Sequence, residues 1–219
     1  MRRILDFALS LLAILILSPF IVPIIFILRF TGEGEVFYLQ KRIGKGGNEF
    51  GLLKFATMLK NSPEIGAGEI TLKNDPRVLP FGRFLRKTKL NELPQLINIL
   101  LGDISIVGPR PMVPNTFMKY SEEAQTQLSK IRPGLTGIGS IVFRDEEQYL
   151  NSKKNPQKFY DDHIIPYKNE LEIWFVNNNS LLLYFKIILS TAWVIFFPKS
   201  NVTSYLLKNI PPKPSGLQN

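Results

Sequence analysis

The sequence predicts an α+β protein tied to a membrane: a long apolar helix at residues 1–30, one compact and mostly helical domain with a small β-hairpin at 31–179, an interfacial helix at 180–198 and a tail at 199–219. Three observations carry this. Residues 4–30 are almost wholly apolar, two β-type stretches flank a Gly-Lys-Gly-Gly turn at 44–47, and from Pro80 onward apolar residues recur at helical spacing.

The first segment, ILDFALSLLAILILSPFIVPIIFILRF, would run about 40 Å as a helix, against a hydrocarbon core of roughly 30 Å. A secretory signal has a shorter apolar region and a small-residue cleavage site, which this stretch lacks. Ser18-Pro19 and Pro23 interrupt it, and a mid-helix proline removes a hydrogen bond and clashes with the preceding turn. Basic residues flank both sides: Arg2 and Arg3 before, Arg29, Lys41 and Arg42 after. The positive-inside rule then places both ends in the cytoplasm. A helix that enters, breaks at Ser18 and Pro19 and returns satisfies the charges, with Ser18 as a partner for freed backbone groups. An ordinary kinked span satisfies the length, and these residues leave both readings open.

EVFYLQKRIG and EFGLLKFATM read as strands around the 44–47 turn, and NSPEIGAGEITLKNDP as a loop. A short basic helix follows Pro80. Leu90, Leu93, Leu96, Ile97, Leu100 and Leu101 predict a helix that Gly102 ends. SIVGPRPMVP reads as a rigid loop, 115–130 and 157–175 as helical. In SLLLYFKIILSTAWVIFF, at 180–197, Lys186, Ser190 and Thr191 form a narrow polar stripe. A lysine at mid-membrane costs about 2.5–3.5 kcal/mol on insertion scales. An interfacial helix with Tyr184 and Trp193 at headgroup depth is therefore preferred over a short span. The proline-rich tail is expected to be loosely ordered.

Composition removes several chemistries. The 219 residues include no cysteine, which excludes disulfides, thiolate metal sites and a Cys nucleophile. One histidine, His163, argues against a multi-His metal site and a Ser-His-Asp triad, and reads as a loop or surface residue. A net charge of +9 calls for an anionic partner such as lipid or a phosphorylated substrate. Nucleic acid is not expected, because no long basic run is interleaved with stacking aromatics.

LRKTKLNELPQLINILLGDISIVGPRP, residues 85–111, resembles the signature block of the bacterial sugar transferases, the small monotopic phosphoglycosyl transferases. FYLQKRIGKGGNEFGLLKFATM (37–58), NDPRVLPFGRFLRKT (74–88), RPGLTGIGSI (132–141) and ELEIWFVNNNSLLLYFKII (170–188) match the same family. The resemblance covers nearly the whole chain. It implies transfer of a sugar phosphate from a UDP-sugar to polyprenyl (undecaprenyl) phosphate, with release of UMP and use of Mg²⁺. The implied location is the cytoplasmic face of the bacterial inner membrane, and the implied pathway is surface glycan synthesis: capsule, exopolysaccharide or O-antigen. It also favours re-entrance for the N-terminal helix.

By the resemblance, Lys54, Arg86 and Arg110 stand at phosphate-binding positions, and Arg144 and Asp145 near the donor. Guanidinium suits phosphate because it donates bidentately. Arg110 is stiffened by Pro109 and Pro111, with Gly108 free to turn. The family nucleophile is an aspartate immediately before a glutamate. Here that pair is Asn91 and Glu92. An amide is no general base at neutral pH and a poorer metal ligand than a carboxylate, so Glu92 is the expected Mg²⁺ ligand. Asn91 also reads as a helix N-cap, a role in which Asn and Asp are interchangeable. Ala56 stands where the commoner family pattern has arginine. Three readings follow: a branch that works without the aspartate, through a covalent Glu92 or direct attack by the lipid phosphate; an inactivated enzyme that still binds donor and lipid; or a non-catalytic scaffold. Asp75, Asp103, Glu146 and Glu147 read as turn or solvated acids, and Asp161 and Asp162 have no assigned role.

Overall fold

The computed structural model describes residues 2–65, 75–144, 146–151, 153–197, 200, 206, 207 and 209–217. Two compact units emerge. The first holds residues 3–41 and 51–102; the second holds 42–50 and 103–219.

In the first unit, α1 (Arg2–Phe30) is helical throughout, including Ser18 and Pro19. Helical backbone is therefore not interrupted at the expected break. Pro19 has no N–H to give the Leu15 carbonyl, and the Ser18 hydroxyl takes that place, donating to Leu15 O at 2.9 Å. One face of α1 is buried, at Asp6, Ser10, Ile24 and Leu28, while large apolar side chains from Ile4 to Phe30 are exposed. Only 11 % of its most apolar window is buried, which separates it from the core helix of a soluble protein.

Strands β1 (Phe37–Ile43) and β2 (Glu49–Phe55) form the expected hairpin. Its turn needs positive φ at Gly46 and Gly47, at 80° and 75°. Phe55 stacks on Phe37 and joins Leu85, Ile24 and Leu28 in an apolar cluster. Helix α2 (Pro80–Lys87) crosses the chain just after β2 at van der Waals limit: a Cβ on Gly82 would lie 2.2 Å from Thr57 O. Helix α3 (Gln95–Leu101) ends at Gly102, φ 97°, as its sequence predicts. Arg3 donates to the Ile99 and Leu100 carbonyls at that end, the latter at 2.6 Å, a cation placed at a helix C-terminus. Asn98 acts as a side-chain extension of the sheet: its Oδ1 accepts from Leu53 N and its Nδ2 donates to Gly51 O, both at 2.9 Å.

The second unit contains β3 (Ser105–Val107), α4 (Pro114–Phe117), α5 (Glu122–Ser129), β4 (Gly134–Thr136), α6 (Ile138–Val142), α7 (Glu146–Asn151), α8 (Pro156–Phe159), α9 (Ile165–Asn177) and α10 (Leu181–Phe196). Strands β3 and β4 pair in parallel, Ser105 with Gly134 and Val107 with Thr136. A π-helical turn, Tyr160–Ile164, joins α8 to α9. Its exposed His163 lies against Phe159, ring centroids 4.7 Å apart. Two residues of the polar stripe of α10 turn inward, and Tyr184, expected at headgroup depth, is buried in the core, while Trp193 is exposed. Ser190 is fully buried and Thr191 shares a hydrogen bond of 2.7 Å with Thr136, because the core needs Leu183, Tyr184, Ile187 and Val194 on the same side. Leu182, Phe185, Leu189 and Trp193 form the exposed face. The tail is also better fixed than its composition implies. Leu207 and Leu217 are buried in the main core, and Pro211 O accepts from the Tyr167 hydroxyl at 2.8 Å.

Asp75 is more than a turn residue. It accepts the Arg77 backbone amide and two guanidinium nitrogens, and both side chains are buried. Arg77 also donates to the Ser62 and Ile65 carbonyls, at 2.9 and 2.8 Å. Removing one partner strands a buried charge, so Arg77→Ala should lose about 3–5 kcal/mol of stability. Chemical denaturation in detergent measures this, and a loss below about 1 kcal/mol would show that the pair is not structural.

Candidate active site

The residues around position 91 are set by backbone constraint. Lys89 adopts the left-handed conformation, φ 61° and ψ 10°, which costs a non-glycine residue roughly 1–2 kcal/mol. A single 3₁₀ turn, Leu90–Glu92, follows, with Glu92 N bonded to Lys89 O and Leu93 N to Leu90 O, both at 3.1 Å. Leu90 and Leu93 pack on the cluster of Phe55 and Leu85, so β2, α2 and this turn share one apolar support. Lys54, Arg86, Asn91 and Glu92 all belong to the first unit on these three elements.

Asn91 is not an N-cap. The amide two residues on, Leu93 N, is already bonded, and the third, Pro94, has no N–H to offer. Asn91 is 8 % exposed and its Oδ1 has no hydrogen-bond partner among the described residues. An orphaned buried oxygen costs about 1–3 kcal/mol. Strain at 89 and an unmet acceptor at 91, two residues apart, make this turn the candidate for a ligand position. Glu92 is half-buried. Lys54 Nζ donates to Gln40 Oε1 at 2.9 Å, and Arg86 Nη1 lies 3.7 Å from Met58 Sδ. Ala56 is buried, its amide bonded to Val36 O, so position 56 supplies no cation.

In the second unit, Gly108-Pro109-Arg110-Pro111 is fastened by backbone. Gly108 N donates to Thr136 O at 2.9 Å and Gly134 N to Pro109 O at 2.8 Å. Cβ atoms at Gly134 and Gly137 would come within 2.0 and 2.1 Å of Gly108 atoms, so only glycine permits the approach. Arg42 donates to Pro111 O at 2.9 Å. Arg110 is exposed at the surface of this loop. Arg144, half-buried, donates to Val194 O in the last turns of α10, which gives it a fold role at a helix C-terminus. Asp145 lies outside the described residues.

Sequence reasoning missed Glu172. On α9, Lys168 pairs with Glu146 at 2.7 Å, and Glu172, one turn on, is 2 % exposed. Burial pushes the Glu172 carboxyl up to about 8, against the lowering effects of the Arg110 backbone N–H, Lys168 and Arg110. Its place between Leu171 and Phe175, both core residues, was the available signal.

No three acidic or histidine side chains gather as a metal cage among the described residues. A magnesium ion here would be held by one carboxylate, that of Glu92, and the unpartnered Asn91 Oδ1 would offer a second oxygen.

The model of a family described as bacterial sugar transferase matches residues 1–198. An uncharacterized sugar transferase of Haemophilus influenzae is 34 % identical over 209 residues, covering 89 % of this chain and 41 % of that protein. The exopolysaccharide production protein ExoY of Sinorhizobium fredii is 38 % identical over 162 residues, 68 % of this chain and 71 % of its own. An undecaprenyl-phosphate galactose phosphotransferase of Salmonella typhimurium is 31 % identical over 209 residues, 89 % and 40 %. The chain therefore spans about two fifths of the first and third of these relatives.

Replacing Asn91 with leucine removes the unmet acceptor at similar volume. Asn91→Leu should hold or raise stability by about 1 kcal/mol while abolishing turnover; a clear loss of stability in a melt would show that the amide is a structural partner. Glu172 sets a pH dependence of stability. Its folded value, about 8, lies above the ordinary 4.5, so its contribution is fully present below 4.5 and is lost as pH rises to about 8. The melting temperature of the parent should fall between pH 5 and 8, and the fall should be smaller in Glu172→Gln.

Proposed function

Because the chain belongs to the bacterial sugar transferase family, we propose that it transfers a sugar-1-phosphate from a UDP-sugar to polyprenyl phosphate at the cytoplasmic face of the inner membrane, releasing UMP. The product starts a surface glycan, a capsule, exopolysaccharide or O-antigen. The observation that carries this reading is the strained turn at 89–92, which holds an unmet amide beside a carboxylate on a shared apolar support.

In the reaction an oxygen of the lipid phosphate takes up the sugar-bearing phosphoryl group, and the bond to UMP breaks with its electron pair leaving on UMP. The main barrier is bringing polyanions together. Arg86 and Lys54 offset phosphate charge, and Arg110 does so on a loop whose conformation is fixed before substrate arrives. Asn91 Nδ2 donates to a phosphoryl oxygen without adding negative charge. Glu92 supplies the carboxylate that position 91 lacks. A magnesium ion at Glu92 would neutralise charge on the donor diphosphate.

The membrane arrangement follows from two surfaces. The apolar side chains of α1 enter the bilayer, and in this reading a kink at Ser18-Pro19, within a helix that is otherwise unbroken, returns the chain to the same side. The exposed face of α10 rests on the lipid interface, because its other face is committed to the core.

UMP release from a panel of UDP-sugars, with polyprenyl phosphate and Mg²⁺, tests the reaction. The chain should turn over, Glu92→Gln should fall by about 10²-fold or more, and Arg110→Ala should lose turnover while remaining folded and membrane-bound. Silence across the panel with activity restored by Asn91→Asp would reassign the chain to donor binding alone. The absence of native cysteine makes topology accessible: single cysteines placed near residue 2 and after α10 should both resist an impermeant maleimide added to intact cells.

A further inference from the structure

Within 109–111 the only backbone amide is that of Arg110, since both flanking residues are proline. The Pro109 and Pro111 carbonyls accept from Gly134 N and from Arg42. The Arg110 N–H runs inward to the Glu172 carboxyl. That carboxyl reaches the loop because position 139 is glycine: a Cβ there would stand 2.5 Å from Glu172 Oε1. Glu172 is 2 % exposed, and its Oε2 has no partner among the described residues.

We propose that Glu172 is the positioning residue of the Arg110 loop, holding the Arg110 peptide from inside the core and governing how much of the guanidinium charge is left for an anionic ligand. This rests on the reading of Arg110 as a phosphate contact. The protonated acid accepts the peptide N–H and leaves the Arg110 charge to the ligand. The ionised form would set a buried anion under the same residue and compete with phosphate for it. Among the described residues, the charged and titratable groups that act on Glu172 come from three places. Arg110 comes from the loop, Lys168 from one turn earlier on α9 and Tyr120 from the residue pair before α5. Lys168 is held toward Glu146 and lies over the Phe143 and Tyr160 rings. Helix α6 brings no ionisable side chain. A ligand phosphate on Arg110 would in turn favour the protonated acid, so the two sites are coupled reciprocally.

The test uses the full chain in detergent with UDP as an unreactive probe, its Kd measured by calorimetry from pH 7 to 9.5. The parent should weaken roughly fivefold across pH 8, as expected when one partly screened charge appears nearby. Glu172→Gln, which keeps an acceptor oxygen and cannot ionise, should bind UDP with a flat profile. An unchanged alkaline weakening in Glu172→Gln overturns the proposal. With a turned-over UDP-sugar, the same weakening should appear in KM and spare kcat. Hydrogen exchange supplies a readout independent of binding. The Arg110 amide should be protected in the parent and in Glu172→Gln, and exposed in Glu172→Ala; equal protection in all three overturns the proposal. If Glu172→Ala does not fold, Gly139→Ala displaces the same carboxyl and should deprotect the same amide. Failure of the parent to bind UDP at pH 7 would instead overturn the assignment of Arg110 to phosphate, and this proposal with it.

Discussion

Contact between two stretches of bare backbone organises the second unit. Gly108 and Gly134 meet so closely that neither could carry a side chain, and Gly137 closes on the Gly108 carbonyl. This approach brings β3 and β4 into parallel register and leaves Pro109, Arg110 and Pro111 projecting from a fixed base. Preorganisation here is achieved by removing side chains and amides, not by adding contacts. Two prolines delete backbone donors, three glycines admit backbone, and one buried acid takes the remaining N–H. The guanidinium of Arg110 stands exposed at the surface of a tightly determined loop.

The first unit reaches a comparable result by strain. A left-handed lysine and a 3₁₀ turn aim a buried amide whose oxygen the protein does not satisfy. The surrounding apolar cluster makes that tolerable, because Leu90 and Leu93 gain burial from the same turn that leaves Asn91 unmet. Stability and site are thus opposed within four residues. The constraint on the geometry around 91 lies in the backbone and its apolar neighbours, neither of which senses the charge of residue 91.

Local features were legible in the sequence. The hairpin, the basic helix after Pro80, the glycine end of α3 and the compensation of Pro19 by Ser18 all follow from short-range chemistry. What escaped was set by long-range packing. Three-residue strands separated by a helical region leave no periodic signal, so β3 reads as part of a loop and β4 goes unmarked. Asn98 looks like any helical asparagine until β2 lies beside it. The stripe on α10 was visible, but periodicity cannot tell which face meets the core. Glu172 carries no local mark, since a lysine four residues before a glutamate suits an exposed ion pair as well as two residues with separate partners. Asn91 was misread because the capping rule assumed a helix starting at 92, and Pro94 moved that start to 95.

The tail gives this chain a boundary problem. The family match stops at residue 198, but the core does not: Leu207 and Leu217 are buried in it, and Tyr167 spends its hydroxyl on Pro211. The interior is therefore completed by residues that lie outside the shared segment. Residues 1–198 of this chain are thus not a self-sufficient module: whatever followed them would have to supply two apolar plugs and a carbonyl in the right places. A graft at that junction would leave a hole in the core of the product.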